Sequence, residues 1–317
     1  MKGKLEMMNH MKRRVLQQAT VLMMLSLGSM SIAAETESLG ALSDPLDQIT
    51  WYQQNENAIA GSPEDMEKAK VLHRIGRAYY NTGNSVQAGE MFRSALGIAV
   101  RGSSRERFLG ALYNDFGLVS VARSDLGQAL TYFQQSATAA AHAGDEDTVF
   151  VSRLNVVRTL LGTGETGSIA RILGELREDL SKLSGSETNI AYHQDLAQLY
   201  RESVLAGVLA ADQRLVALQL YRAALKSAES RSKKAAVALS NGYIGELYED
   251  EQQLNIALDY TRRALFDAQL DADDLLLYRW QWQLGRILRS QGQIEKSLGA
   301  YRQSVASLHR AKSSLSS

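Results

Sequence analysis

The catalytic motifs that can be read from a sequence place their side chains at short fixed spacings, and few such spacings occur here. The five histidines (His10, His73, His142, His193 and His309) are scattered, none with a second histidine at helical spacing. No HExxH, GxSxG or glycine-rich phosphate loop occurs, and cysteine is absent. The sequence therefore offers no zinc-hydrolase helix, serine elbow, phosphate cradle or thiolate. Carboxylates cluster at Asp145-Glu146-Asp147, Glu249-Asp250-Glu251 and Asp271-Ala272-Asp273-Asp274. The last opens like a calcium loop, but Leu275 takes the next ligand position, and the glycine and closing glutamate are missing. Acidic residues at turns and helix starts are favoured by the positive end of the helix dipole. Glu246 and Glu249, three apart on one turn, are the pair best spaced for acid–base work, yet no apolar pocket is evident around them. We assign no catalytic residue, cofactor or metal, and expect a non-enzymatic protein.

The chemistry on offer is recognition, and helices must position it. Of 317 residues 45% are hydrophobic, and 35 basic residues balance 35 acidic ones. A neutral chain lacks the basic excess of a nucleic-acid binder, so no nucleic-acid partner is expected. The only prolines are Pro45 and Pro63. A long proline-free stretch rich in Ala, Leu, Gln, Arg and Glu reads as nearly all helix.

A helical glycine costs roughly 1 kcal/mol against alanine, yet Gly285 lies among apolar residues at helical spacing (Leu277, Trp280, Leu284, Ile287, Leu288). The choice is repeated. Gly76, Gly117, Gly245 and Gly285 are each followed 12 residues later by a small residue: Ala88, Ala129, Ala257 and Ser297. Seven residues further stand Ala95, Ser136, Ala264 and Ser304, with Phe92, Phe133, Tyr260 and Tyr301 between. This pattern specifies a helix-turn-helix unit in which the glycine of helix A admits the small residue of helix B, with the aromatic filling the space beside them. Gly83 and Gly292 mark turns. Two weaker units fill the gap. Arg153–Leu176 has Gly164 as turn and Ala170 as small residue, and Leu199–Leu225 has Ala217, Tyr221 and Ala224.

These residues resemble tetratricopeptide repeats (TPRs), with Gly76/Tyr79 and Gly245/Tyr248 matching the family's Gly-x-x-Tyr. The spacing of 41 residues from Gly76 to Gly117 and 40 from Gly245 to Gly285 exceeds the family's usual period of about 34, so the helices are longer. The resemblance implies an all-α fold, a right-handed α-solenoid of about six helix-turn-helix repeats over residues 62–317, with a concave groove lined by the A helices. It also implies a protein or peptide partner in that groove. On the groove-facing side of helix A, the first unit presents His73, Arg77 and Tyr80. The last presents Arg279, Trp282, Arg286 and Arg289, and Asn114 and Asn155 fall between, placed to bond an extended peptide backbone. Some proteins of the family grip a C-terminal carboxylate with a Lys/Asn set, which this sequence does not reproduce.

The segment before the repeats has two parts. Residues 1–34 carry Lys12, Arg13 and Arg14, an apolar stretch from about Ala19 to Ile32, then Ala33 and Ala34, which reads as a cleaved signal peptide starting at Met1 or Met11. Without it the chain carries 30 basic and 34 acidic residues. With no lipid-attachment cysteine and no membrane span after cleavage, a bacterial periplasmic or secreted protein is expected. Residues 35–61 read as a polar lead-in of low helical regularity, and Ser62 as the N-cap of the first repeat helix, with Pro63 in its first turn.

The last unit, "WQLGRILRSQGQIEKSLGAYRQSVASL", is also similar to the final repeat of the N-terminal arrays of bacterial CHAT-domain (caspase-like) proteins. That resemblance implies, as an alternative, the regulatory part of a larger protease-like or envelope-assembly machine. Repeat arrays end in a unit with a polar outer face. Here the last helix shows Ile294, Leu298, Tyr301, Val305 and Leu308, so self-association through this repeat is a further expectation.

Overall fold

The computed structural model describes residues 39–63, 65–101, 106–183 and 188–315, and the expected signal peptide lies outside them. The described residues form helices and turns, with two compact units meeting between Asp115 and Phe116.

The first unit holds α1 (Pro45–Gly61), α2 (Met66–Asn81), α3 (Ser85–Ala99) and the first part of α4 (Glu106–Ala122). Helix α1 corrects the reading of residues 35–61 as an irregular lead-in. The Asp44 carboxylate accepts from the Leu46 amide at 2.7 Å, Pro45 occupies the first turn, and Ile49, Tyr52 and Ile59 are buried. Polar residues separate these three, so the apolar stripe is too sparse to read in sequence, and packing against α2 completes it. The N-cap assignment also shifts. Ser62 closes α1, its hydroxyl donating to the Ile59 carbonyl at 2.6 Å. Asp65 caps α2 instead, accepting from the Glu67 and Lys68 amides at 3.1 Å each, because one carboxylate satisfies two orphan donors. Buried Lys68 donates from Nζ to the carbonyls of Ala60 and Ser62, tying the two helices together.

The second unit continues α4 from Phe116 and adds α5 (Leu126–His142), α6 (Glu146–Thr163), α7 (Ile169–Lys182), α8 (Thr188–Leu205), α9 (Arg214–Ser230), α10 (Lys234–Asp250), α11 (Leu254–Leu270), α12 (Asp274–Ser290) and α13 (Ile294–Leu315). Successive helices pack as hairpins, and each A helix (α6, α8, α10, α12) also meets the A helix before or after it. Phe133, Phe150, Leu173, Tyr221 and Ile244 belong to one continuous core. The acidic clusters take the capping role expected of them at two places: Asp145 accepts from the Thr148 amide and Asp273 from those of Leu275 and Leu276. Gly83 and Gly292 adopt φ of 82° and 75°, the left-handed conformation their turns require.

The repeated glycines are explained more sharply than the spacing allowed. The aromatic ring itself lies on the glycine: a Cβ at Gly76, Gly117 or Gly285 would stand 2.3 Å from Phe92, 2.4 Å from Phe133 or 2.5 Å from Tyr301. Gly245 differs, because Tyr260 comes one residue early. Thr261 and Gln283 abut Gly245 at 2.9 and 2.8 Å, and the large ring of this layer, Trp280, covers Gly242 at 2.3 Å. The small residues do approach closely. Ser297 donates to the Gly285 carbonyl at 2.8 Å, and Ser136 and Ser152 share a buried hydrogen bond of 2.6 Å. In the third pair Ala170 is exposed, contrary to its assigned role. Helix α7 begins at Ile169, and the larger Ile169, Leu173 and Leu176 fill that interface.

Gly117→Ala is expected to destabilise the array by about 1–3 kcal/mol despite its better helix propensity, because the buried Phe133 ring has nowhere to move. Gly117→Ala combined with Phe133→Leu is expected to recover part of that loss. Urea titration followed by circular dichroism checks both, and a neutral Gly117→Ala would contradict the ring-on-glycine account.

Candidate functional site

The A helices of the second unit carry a line of polar side chains linked from helix to helix. Arg158 on α6 donates to Asp195 on α8 at 2.8 Å. Gln194 on α8 donates to Ser240 Oγ and the Ala236 carbonyl on α10 at 2.8 and 3.0 Å. Arg201 on α8 forks onto Asp250 at 2.6 and 3.1 Å and reaches Glu246 at 3.0 Å. From α12, Arg279 donates to the Tyr243 hydroxyl at 3.0 Å, and Arg286 grips Glu249 at 2.9 and 2.8 Å. Planar guanidinium forks of this kind fix orientation as well as charge.

The environment around Arg201 sets its electrostatics. Burial disfavours its cation, but the hydrogen bond to Asp250 and the charges of Glu246 and Asp250 outweigh that, holding the guanidinium above its usual range. Nearby, burial raises the phenol of Tyr221 well above the ordinary value, and its hydroxyl donates to Gln198 at 2.7 Å. Glu246 and Glu249 thus serve as anchors for arginines, an arrangement unlike that of a general acid and base.

Several residues assigned to the groove from sequence are paired with side chains of the neighbouring helix. Arg279 and Arg286 meet Glu246 and Glu249, and the Arg279 guanidinium also lies 4.5 Å from the Tyr243 ring and 4.7 Å from that of Trp280. Asn155 does not project: it is buried, and its Oδ1 accepts from Arg158 at 2.9 Å, because the arginine one turn along folds over it. Trp282 is 44% exposed, one face resting on Tyr301 with ring centroids 4.9 Å apart, whereas Trp280 is fully buried. Arg289 is exposed.

In the first unit, His73 Nε2 and Asp115 Oδ2 are 2.7 Å apart, with Arg77 Nε 3.6 Å from the same oxygen. The His73 ring also meets the rings of Phe92 and Phe108, so this histidine is fastened on three sides. Tyr80 and Asn114 are half-buried.

Asp115, Arg158, Asp195, Gln194 and Arg201 escaped the sequence reading, and Asp250 entered it only as a member of an acidic cluster. A signal for most of them exists: complementary partners recur about one repeat apart, at separations of 37 residues for Arg158–Asp195, 45 for Arg201–Glu246 and 42 for His73–Asp115.

Consecutive helix hairpins with glycine-seated aromatics define a TPR-like helical repeat fold. No family model and no curated protein matches the chain. Among solved structures it is similar to the apo form of RapI, at 16% identity over 88% of this chain and 97% of that one, with a TM-score of 0.63. It is also similar to a STAND signal-transduction ATPase with a tetratricopeptide repeat sensor from Pyrococcus horikoshii, at 15% identity over 87% of this chain and 44% of that one, TM-score 0.58. The Rap conjugation regulator of plasmid pLS20, solved with the Phr* peptide, matches at 17% identity over 83% of this chain and 69% of that one, TM-score 0.55. At these identities the likeness establishes the fold.

Proposed function

We propose that the protein is an exported, non-catalytic scaffold that binds a protein or peptide segment along its A-helix face. One observation carries the reading: the cross-helix line from Arg158 to Arg286 presents donors and acceptors in fixed orientation, so a bound backbone meets a preorganised polar track. Support comes also from TPR-like folds of similar architecture solved with peptides, among them NprR with its cognate peptide NprX, TM-score 0.54. Export rests on the basic and apolar pattern of residues 1–34, and a periplasmic or secreted location follows from it.

A displayed peptide library panned against the array tests the reading, with the retained peptides mapped by amide protection. Protection is expected on α6, α8, α10 and α12, and Arg158→Ala and Arg279→Ala are each expected to weaken binding about tenfold. Protection confined to the B helices, or retention of no peptide, would overturn it. Export is tested separately: the mature chain recovered from a bacterial periplasmic fraction is expected to begin near Glu35.

A further inference from the structure

The last two hairpins repeat at 40 residues, so the way α12 packs on the fifth hairpin reports what the sixth is built to receive. On α11, Leu258 shares a core cluster with Ile287 and Leu288 of α12 and Leu254 packs against it, while Leu265 packs against the cluster that holds Leu277 and Trp280 of α12. The residues 40 further on are Ile294, Leu298 and Val305 on α13, which remain 54%, 44% and 47% exposed. The apolar stripe that holds a following A helix is therefore preserved in kind and left open.

Charge supplies the second half. Across the last three A helices the sign alternates: Arg201 on α8 faces Glu246 and Asp250 on α10, and Glu246 and Glu249 in turn face Arg279 and Arg286 on α12. The residues 40 after Glu246 and Glu249 are Arg286 and Arg289. Arg289 is exposed and, among the described residues, carries no ion pair. On α13 itself, Arg302 follows Leu298 by one turn on the open side, and Glu295 is the single acidic residue against Lys296, Arg302, Arg310 and Lys312. An acidic flank would continue this alternation.

We infer that the open face of α13, with Arg289 at its edge, docks an amphipathic α-helix that carries apolar residues at A-helix spacing and carboxylates on the flank that meets Arg286 and Arg289. The occupant continues an interface type already present in this fold, and the basic border selects its charge. The open face of α13 adjoins the peptide track at Arg286 alone, and its apolar stripe of Ile294, Leu298 and Val305 lies outside that track.

The probe is a fluorescein-labelled 17-residue peptide with the sequence of Asp274–Ser290, made with Arg279→Glu and Arg286→Glu, titrated against the full chain by anisotropy. Saturable binding is expected, at least tenfold tighter than for the same peptide with its arginines retained. Leu298→Glu alters an exposed position, so the array keeps its circular dichroism spectrum while binding falls at least tenfold. Arg289→Glu is expected to narrow or reverse the preference between the two peptides. No binding of the acidic peptide, equal binding of both, or binding that survives Leu298→Glu would overturn the inference. So would a full chain that sediments as a dimer and becomes monomeric with Leu298→Glu, since a second copy would then own the face.

Discussion

Arg201→Met is expected to cost about 3–5 kcal/mol of stability, among the largest effects of any single substitution in the array. The arginine joins α8 to α10 through Glu246 and Asp250, and all three side chains are largely removed from solvent, at 15%, 11% and 17% exposure. Methionine preserves much of the aliphatic volume but leaves Asp250 without its fork and Glu246 with only the longer contact from Arg279, 3.4 Å. The penalty is that of carboxylates stranded away from water. Adding Glu246→Gln and Asp250→Asn to Arg201→Met is therefore expected to return most of the loss, although no contact of the native layer is restored. Urea denaturation of the single, carboxamide-pair and triple variants checks this. A loss near 1 kcal/mol that the added substitutions deepen would mean that the layer is solvated and that Arg201 acts chiefly by packing.

Trp280→Ala is expected to cost a similar 3–5 kcal/mol by a different route. The indole is the largest fully buried side chain among the described residues, seated on Gly242 and meeting the Tyr243 ring edge-on at 5.7 Å. Truncation opens a cavity among Ala264, Ala268 and Leu277, and deprives the Arg279 guanidinium of a face it lies against. Among the described residues the indole N–H has no hydrogen-bond acceptor, so packing alone holds the ring. Trp280→Phe, which removes that buried donor and keeps most of the apolar area, is accordingly expected to cost less than half as much. Trp282→Ala, at an exposed position two residues away, is expected to change stability by less than about 1 kcal/mol. Because repeat arrays can lose structure in segments, hydrogen exchange resolved by helix is the suitable readout. The Trp280→Ala loss should concentrate in α10 to α13. A uniform loss from α5 onward would indicate that the second unit unfolds as one block.

The repeat architecture was legible in the chain because it rests on local rules. Four glycines at a common offset from small residues, three of them also at a common offset from an aromatic, identify helix hairpins, since only a residue without Cβ lets a ring lie against a helix backbone, as Phe133 does on Gly117. Spacing also separated Trp280 from Trp282 correctly, because residues two apart on a helix point in different directions. Helix α1 was not legible, for its three buried residues are too sparse to form a stripe without α2 beside them. Capping shifted for a related reason: Ser62 and Asp65 are both competent caps, and the end of α1 had to claim Ser62 before Asp65 became the start of α2.

The candidate surface divides in the same way. The sequence by itself determined which residue types lie on the A helices, their helical phase and their repeat period, because phase and period depend on chain geometry alone. Only the tertiary structure decided that Arg279 and Arg286 face Glu246 and Glu249, that Asn155 is buried, and that Ile294, Leu298 and Val305 stay open. Charge pairing and exposure are properties of neighbours 33 to 49 residues apart in the chain, brought within a few ångströms by the stacking of one hairpin on the next.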